Sequence, residues 1–329
     1  MPRISAYSLT REPDWVIRTY LDFMDRAGVE ELIMFFDGGR SPGVAEMLRD
    51  RPPGGARIIA EDLDDAYWRA AIGDPPLMRD KFVHCIARAH EMCGGDWLWV
   101  GDADEFPEDL AVMFAALDAV PAEVEAVTVP PAEAVWGPGE ADAPPFATSV
   151  FRLTTPPRQW GWRLLKRLIY GRWHVFFDRN MLSHKSGKQF GRRGARVDQI
   201  DVHHTRRGGA VINRPLAEVV RLPRVLHVRH YDAISHERWL AKMRRSAEKG
   251  EEANSSQRPA RLAQIALVRD LLARMDAAPD PEAAREIGAR AFRRLYHLTR
   301  LQFALLRLIG GVVRLEPAVT AADAPAPPR

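Results

Sequence analysis

The sequence predicts an α/β fold: a mixed, mostly parallel sheet sandwiched by helices, with a helical extension at the C-terminal end. Three observations lead there. Short apolar runs alternate with longer segments of helical period through the first 130 residues. The clearest of those runs are apolar on consecutive residues, as strands buried on both faces are. Three of the runs end in Asp or Glu, and sheets of this class place their chemistry at the carboxyl ends of their strands.

The elements follow in order. Residues 3–9 read as a first strand. Arg11-Glu-Pro13-Asp14 then makes a turn and a helix start, with Pro13 near the first helical position. Val16, Tyr20, Phe23, Met24 and Ala27 carry helical spacing, and Gly28 closes the helix. Leu32 to Phe36 is a second strand, ending in Asp37-Gly38-Gly39, where backbone can approach a ligand. Arg57 to Ala60 is a third, followed by Glu61 and Asp62. Phe82, Cys85, Ile86, Ala89 and Met92 define a helix stopped by Gly94-Gly95. A helix from Pro107 to about Ala119 and a strand near Val124 to Val129 complete the series.

Between the last two helices lies Asp96-Trp-Leu-Trp-Val-Gly-Asp102-Ala-Asp104-Glu105-Phe106, a buried-type strand that ends abruptly in three carboxylates. Carboxylates at i and i+2 across a turn can share a divalent cation, and hard aspartate oxygens suit Mg²⁺ or Mn²⁺. The alternative is an acidic turn that caps the following helix. No Gly-x-Gly-x-x-Gly follows the first strand and no Walker-type loop is present, which argues against a dinucleotide dehydrogenase and a P-loop NTPase.

With 329 residues, 46% hydrophobic and 28% charged, the chain can bury a sizeable core. The formal net charge of +3 is too mild to indicate a nucleic-acid partner. Cys85 and Cys93 sit in one helical pattern, unsuited to a disulfide and consistent with a cytoplasmic protein. The N-terminus reads as carrying no signal segment, and no apolar run is long enough to span a membrane.

Residues 130–160 are rich in Pro, Gly and aromatics and read as a long irregular stretch that meets a ligand or packs on the core. Arg and Lys then interleave with apolar residues from Arg163 to Arg179. Ser183-His184-Lys185-Ser186, Asp201-x-His203-His204 and His227-x-x-His230-Tyr231 follow, concentrating histidines in this half. Their spacing is not that of a structural zinc site.

Taken in order, these blocks resemble bacterial family 2-like glycosyltransferases of the GT-A fold. Trp97 to Phe106 is similar to the family's Trp-x-x-x-x-Asp-x-Asp-Glu-Phe segment. Leu32 to Gly39 resembles its strand ending in Asp-x-Gly-Ser, and His184-Lys185-Ser186, His203-His204 and His230-Tyr231 resemble three later blocks. Trp15 to Val29 departs from the family's first helix. The resemblance spans roughly residues 3–245.

It implies that Asp102 and Asp104 hold Mn²⁺ or Mg²⁺ against a nucleoside diphosphate sugar. His204 or His230 would complete the metal or diphosphate contacts. Asp37 and Asp62 would face the base or ribose, and Arg79 and Lys185 the phosphates. Glu105 and Asp104 are the catalytic candidates, without an assigned base for the acceptor hydroxyl. The implied reaction is transfer with inversion to a saccharide or lipid-linked acceptor, in surface polysaccharide or glycolipid synthesis. Two alternatives stand beside it: a metal-dependent phosphoesterase, and a non-catalytic binder of an acidic polymer.

The expected division is 1–130 as the nucleotide-sugar half, 131–245 as the acceptor half of the same domain, 246–316 as a helical region and 317–329 as a disordered tail. Gly250 to Ser256 reads as a linker. A helix through Leu262 to Met275 and another from Glu282 to about Ile309 are expected. Arg293, Arg300, Arg307 and Arg314 recur every seven residues, with no acidic residue between Glu286 and Glu316. That C-terminal helix is expected either to make peripheral contact with the inner face of a membrane or to pack on the core.

Overall fold

The computed structural model describes every residue except 52, 53, 75, 156–160, 196, 197, 234, 249–258, 321–323 and 325–329, and the backbone alone at 163 and 246. The expected linker at 250–256 lies outside the described residues. Two units form, each from two stretches: Met1–Pro131 with Ser186–Val228, and Ala132–Lys185 with Arg229–Arg329. The sequence suggested cuts near 130, 245 and 316. Strands from the third stretch complete the sheet begun in the first, so each unit is drawn from separate parts of the chain.

In chain order, β1 (Ile4–Thr10), α1 (Asp14–Arg26), β2 (Glu31–Asp37), α2 (Pro42–Arg49), β3 (Arg57–Leu63), α3 (Asp65–Ile72), α4 (Met78–Met92) and β4 (Trp97–Val100) alternate as expected. Two of these helices, α2 and α3, were not expected from the sequence, and both are capped. Ser41 accepts from the Val44 amide before Pro42 at the start of α2, and Asp64 accepts from the Tyr67 amide before α3. β5 (Glu105–Pro107), α5 (Leu110–Asp118) and β6 (Ala126–Val129) follow. Pro107 belongs to β5, so α5 starts later than predicted, after Asp109. The second stretch holds β7 (Pro131–Val135), β8 (Val150–Leu153) and α6 (Trp162–Tyr170), then a 3-10 turn over Gly171–Phe176. The third holds β9 (Lys188–Arg192), β10 (Gln199–Ile200), β11 (Thr205–Arg207), β12 (Ala210–Val211), β13 (Arg214–Pro215) and α7 (Leu216–Val219). The last holds β14 (Val228–His230), α8 (His236–Glu248), α9 (Pro259–Asp276), α10 (Pro281–Tyr296), α11 (Arg300–Leu308) and β15 (Val312–Arg314).

The first unit is built on a seven-stranded sheet in the order β13-β6-β9-β4-β1-β2-β3. β9 runs antiparallel to β4 and β6, while β1, β2, β3 and β4 are mutually parallel, so the sheet is mixed and mostly parallel as expected. Tyr7, Ile33, Phe35, Leu98 and Val100 form one apolar layer with Trp68, Cys85, Ile86 and Ala89 of α3 and α4. The alternate residues Leu32, Met34, Trp97 and Trp99 are equally buried, which means the sheet is covered on both sides.

Strands apolar on both faces do not specify their own register, because a one-residue slip exchanges like for like. Polar anchors at the two ends of β2 do. Glu31 accepts from the Ser5 hydroxyl and the Gly94 amide, and Asp37 accepts from Trp68 Nε1. From β1 the chain steps to β2 and β3 on one side, then places β4 on the other. The carboxyl ends of β1 and β4 therefore flank a topological switch point, where open α/β sheets bind ligands.

In the second unit β8 pairs antiparallel with β7 and β15. The stretch at 130–160, read as irregular, thus supplies two strands. Its aromatics are core: Phe146 is buried, and Trp136 stacks on His297 while its indole N–H donates to the Ala143 carbonyl. Trp160, at the end of that stretch, lies outside the described residues. The single helix expected over 282–309 is two. Trp136 exchanges backbone hydrogen bonds with Tyr296 and Leu298, pulling His297 into a bridge, and a Thr299–Gln302 capping box starts α11. Within the tail expected to be disordered at 317–329, Ala318 and Val319 are buried. Among the described residues no helix is long and apolar enough to cross a membrane.

Candidate functional site

The carboxylate corner follows directly from β4. Gly101 permits the turn, because a β-carbon there would strike the Trp99 indole. Asp102, Asp104 and Glu105 then gather at the rim. The side chain of Asp102 is 30% exposed, while Asp104 and Glu105 are buried. Glu105 Oε2 accepts from the Asp102 amide at 3.0 Å, closing the loop on itself.

β9 supplies the partner. It enters the sheet antiparallel at the rim where β4 leaves it, with Gln189 opposite Val100. Lys188, one residue earlier, therefore lies beside the carboxylates. Its Nζ is 2.9 Å from Asp102 Oδ2 and 2.7 Å from Glu105 Oε2. Burial alone would lower the lysine's pKa, but the two carboxylates outweigh it and raise it, so the ammonium is permanently charged. Asp102 and Glu105 thus share one buried ammonium.

The loop between β10 and β11 adds His203. Asp201 Oδ1 accepts from the amides of His203 and His204 at 2.8 and 2.7 Å and shapes the loop. His203 Nδ1 lies 3.0 Å from the Gly187 carbonyl, which can only accept, so Nδ1 carries the proton in the neutral ring. Burial, then the charge of Lys188, lower its pKa to about 4 against the opposing influence of Gly187, Asp102 and Asp201. The ring is therefore neutral at ordinary pH. Sequence reasoning singled out its neighbour His204, whose side chain is 40% exposed beside Asp201.

A second cluster lies at the carboxyl end of β2. Asp37 is buried, accepting from Trp68 Nε1 at 2.7 Å and Lys81 Nζ at 2.9 Å, with Arg11 Nε 2.8 Å away. Burial would raise its carboxyl, but hydrogen bonds and charge from Arg11 and Lys81 hold it below the usual carboxylate range. Two cations on one anion leave one positive charge over. Arg11 follows β1 at the switch point. Lys81 was missed by sequence reasoning, which favoured Arg79. Helical geometry separates them: Lys81, Cys85 and Ala89 share the buried face of α4, and Arg79 is exposed.

At the end of β3, Asp62 is bound by Arg40 through its amide and guanidinium, which lower its pKa. Glu61 pairs with Arg88, whose guanidinium also donates to the Tyr67 hydroxyl. The remaining candidates belong to the second unit. Lys185 donates to Asp178 at 2.9 Å, and His230 is buried with Nε2 3.9 Å from Asp232. The first unit thus brings together Asp102, Asp104 and Glu105, and holds Asp37 and Asp62 on neighbouring strand ends.

No family model and no curated protein matches this sequence. Among solved structures the chain is similar to glucosyl-3-phosphoglycerate synthase from Mycobacterium tuberculosis, in complex with Mn²⁺, UDP-glucose and phosphoglyceric acid. That likeness has 16% identity and a TM-score of 0.27, and covers 39% of this chain and 43% of that one. A mannosyltransferase from Pyrobaculum calidifontis, in complex with GDP-Man and Mn²⁺, aligns over 98% of this chain and 86% of that one, with 13% identity and a TM-score of 0.36. Likenesses this distant assign no activity.

Proposed function

We propose that the protein is a cation-dependent glycosyltransferase of GT-A type, moving a sugar from a nucleoside diphosphate sugar to an acceptor hydroxyl with inversion. The observation that carries this reading is the position of Asp102 and Asp104, at the carboxyl end of β4 beside the switch point of the parallel strands.

The residues fit Mg²⁺ or Mn²⁺ of the kind that accompanies a diphosphate. Such an ion takes one or two protein carboxylates and fills its other positions with water and phosphate oxygens. Among the described residues no three His, Cys, Asp or Glu side chains form a ready cage, as that mode of binding requires none. Asp102 and Asp104 would hold the ion, with His203 a neutral imidazole that feels the charge of Asp102 and Lys188. When bound, the ion neutralises charge on the departing diphosphate.

The chain's own residues divide the remaining work. Lys188 fixes Asp102 and is itself fixed by Glu105, so Glu105 acts as a positioning residue rather than a base. Arg11 and Lys81 exceed Asp37 in charge and suit the phosphate-bearing part of the donor. The resemblance alone supplies the acceptor class, a saccharide or lipid-linked saccharide, and with it a role in polysaccharide or glycolipid synthesis.

The test is release of nucleoside diphosphate from a panel of UDP- and GDP-sugars, with and without Mn²⁺. Turnover of one donor is expected, abolished by chelation and restored by the metal. Phosphate release from p-nitrophenyl phosphate with no donor turned over would favour the phosphoesterase reading and end this one.

A further inference from the structure

Two helices of the second unit leave leucines in solvent. Among the described residues the four most exposed leucines are Leu308 (83%), Leu164 (73%), Leu168 (71%) and Leu301 (68%). All four lie on α6 and α11. The helices touch: Gln302 Nε2 donates to the Ile169 carbonyl at 2.9 Å. Leu164 and Leu168 are one turn apart on α6, with Arg167 exposed between them. On α11, Arg300, Leu301, Ala304, Arg307 and Leu308 make up the exposed side, at spacings of three, four and seven. Val175 and Arg172, on the turn that follows α6, are exposed as well.

Within the two segments that carry these leucines the charge is of one sign. Neither Trp162–Phe176 nor Arg300–Arg314 contains an Asp or Glu, although the whole chain has 44 of them. Arg172, Arg300 and Arg307 show no acidic partner among the described residues. A helix face of leucines edged with arginine matches a surface that is anionic outside and apolar just beneath.

We infer that α6 and α11 together seat the protein on an anionic lipid surface. The contact is not the continuous seven-residue arginine stripe of the sequence, because the break at His297 separates Arg293 from Arg300 and Arg314 pairs with Glu140. It is a two-helix patch in which leucines enter the interface and Arg167, Arg300 and Arg307 meet the headgroups. The inference stands apart from the choice of donor, since none of these residues belongs to the carboxylate corner.

Co-sedimentation of the full chain with vesicles tests it. Binding is expected to an equal mixture of phosphatidylcholine and phosphatidylglycerol, with release at high salt, and none to phosphatidylcholine alone. Leu164→Gln with Leu168→Gln, and separately Leu301→Gln with Leu308→Gln, should each lower partition roughly tenfold or more, given the apolar area withdrawn. Val211→Gln, exposed on β12 in the other unit, should change nothing. Absence of vesicle binding, equal loss in Val211→Gln, or leucine variants that bind as the parent does would overturn the inference. So would a concentration-dependent dimer that the leucine variants convert to monomer, since a second copy would then cover the face.

Discussion

Replacing Lys188 by Met tests the electrostatics of the corner after β4. Lys188 and Glu105 are both almost fully buried, and the ammonium lies within 3 Å of two carboxylates. Met keeps the unbranched stem and most of the packing, so the loss is chiefly electrostatic. Removing one partner of a buried ion pair costs about 3–5 kcal/mol, because the other charge stays desolvated and uncompensated. Two short charge-assisted hydrogen bonds go with it. The expected loss in urea unfolding is therefore about 3–5 kcal/mol. Adding Glu105→Gln should recover much of it, since the amide oxygen can still accept from the Asp102 N–H while one buried charge disappears. The coupling between the two substitutions should exceed about 1.5 kcal/mol. A Lys188→Met variant within about 1 kcal/mol of the parent, or a double variant as unstable as the sum of the singles, would refute this account of the corner.

Two further predictions concern the same corner. His203 is depressed to about 4 in the folded chain from 6.5, so its neutral form is the native one. The stability this contributes is complete above pH 6.5 and drains as the pH falls toward 4, by about 3 kcal/mol in total. His203→Gln should lose less over that interval when unfolding is followed from pH 7.5 to 4; equal losses would place the ring elsewhere. Gly187 meets the Val129 backbone so closely that a β-carbon would overlap it. Because Gly187 also precedes Lys188 and carries the carbonyl that orients His203, Gly187→Ala should cost about 1–3 kcal/mol. It should lower cation affinity as well, and a variant with parental stability and affinity would contradict the close approach.

Much of the fold could be read from the chain because its signals are local. The consecutive apolar residues of β2 and β4, the helical spacing of α1 and α4 and the glycines after them depend on near neighbours alone. The same holds for the Asp102–Asp104 pair, announced by Trp97 to Val100. Lys188 and His203 could not be read in this way. Their place depends on β9 inserting antiparallel between β4, about ninety residues away, and β6, about sixty away, pairings that no local pattern encodes. Lys81 and Arg79 illustrate a finer failure. Both are cations near a helix start, and only the position of Lys81 four residues before Cys85 marks it as facing inward. The split between α10 and α11 was legible in principle, since Thr299-x-x-Gln302 is a capping-box pattern, but a strong heptad of arginines masked it. The interleaved units escaped for the reason that hid Lys188: long-range strand exchange leaves no mark on composition.

The most direct test of the central claim is calorimetric titration of Mn²⁺ and UDP or GDP into the parent chain and into Asp102→Asn and Asp104→Asn variants shown to be folded. The account predicts that nucleotide binds tightly only with the metal present, and that each substitution weakens this joint binding at least roughly tenfold. Nucleotide binding that ignores the metal, or that survives both substitutions unchanged, would contradict it.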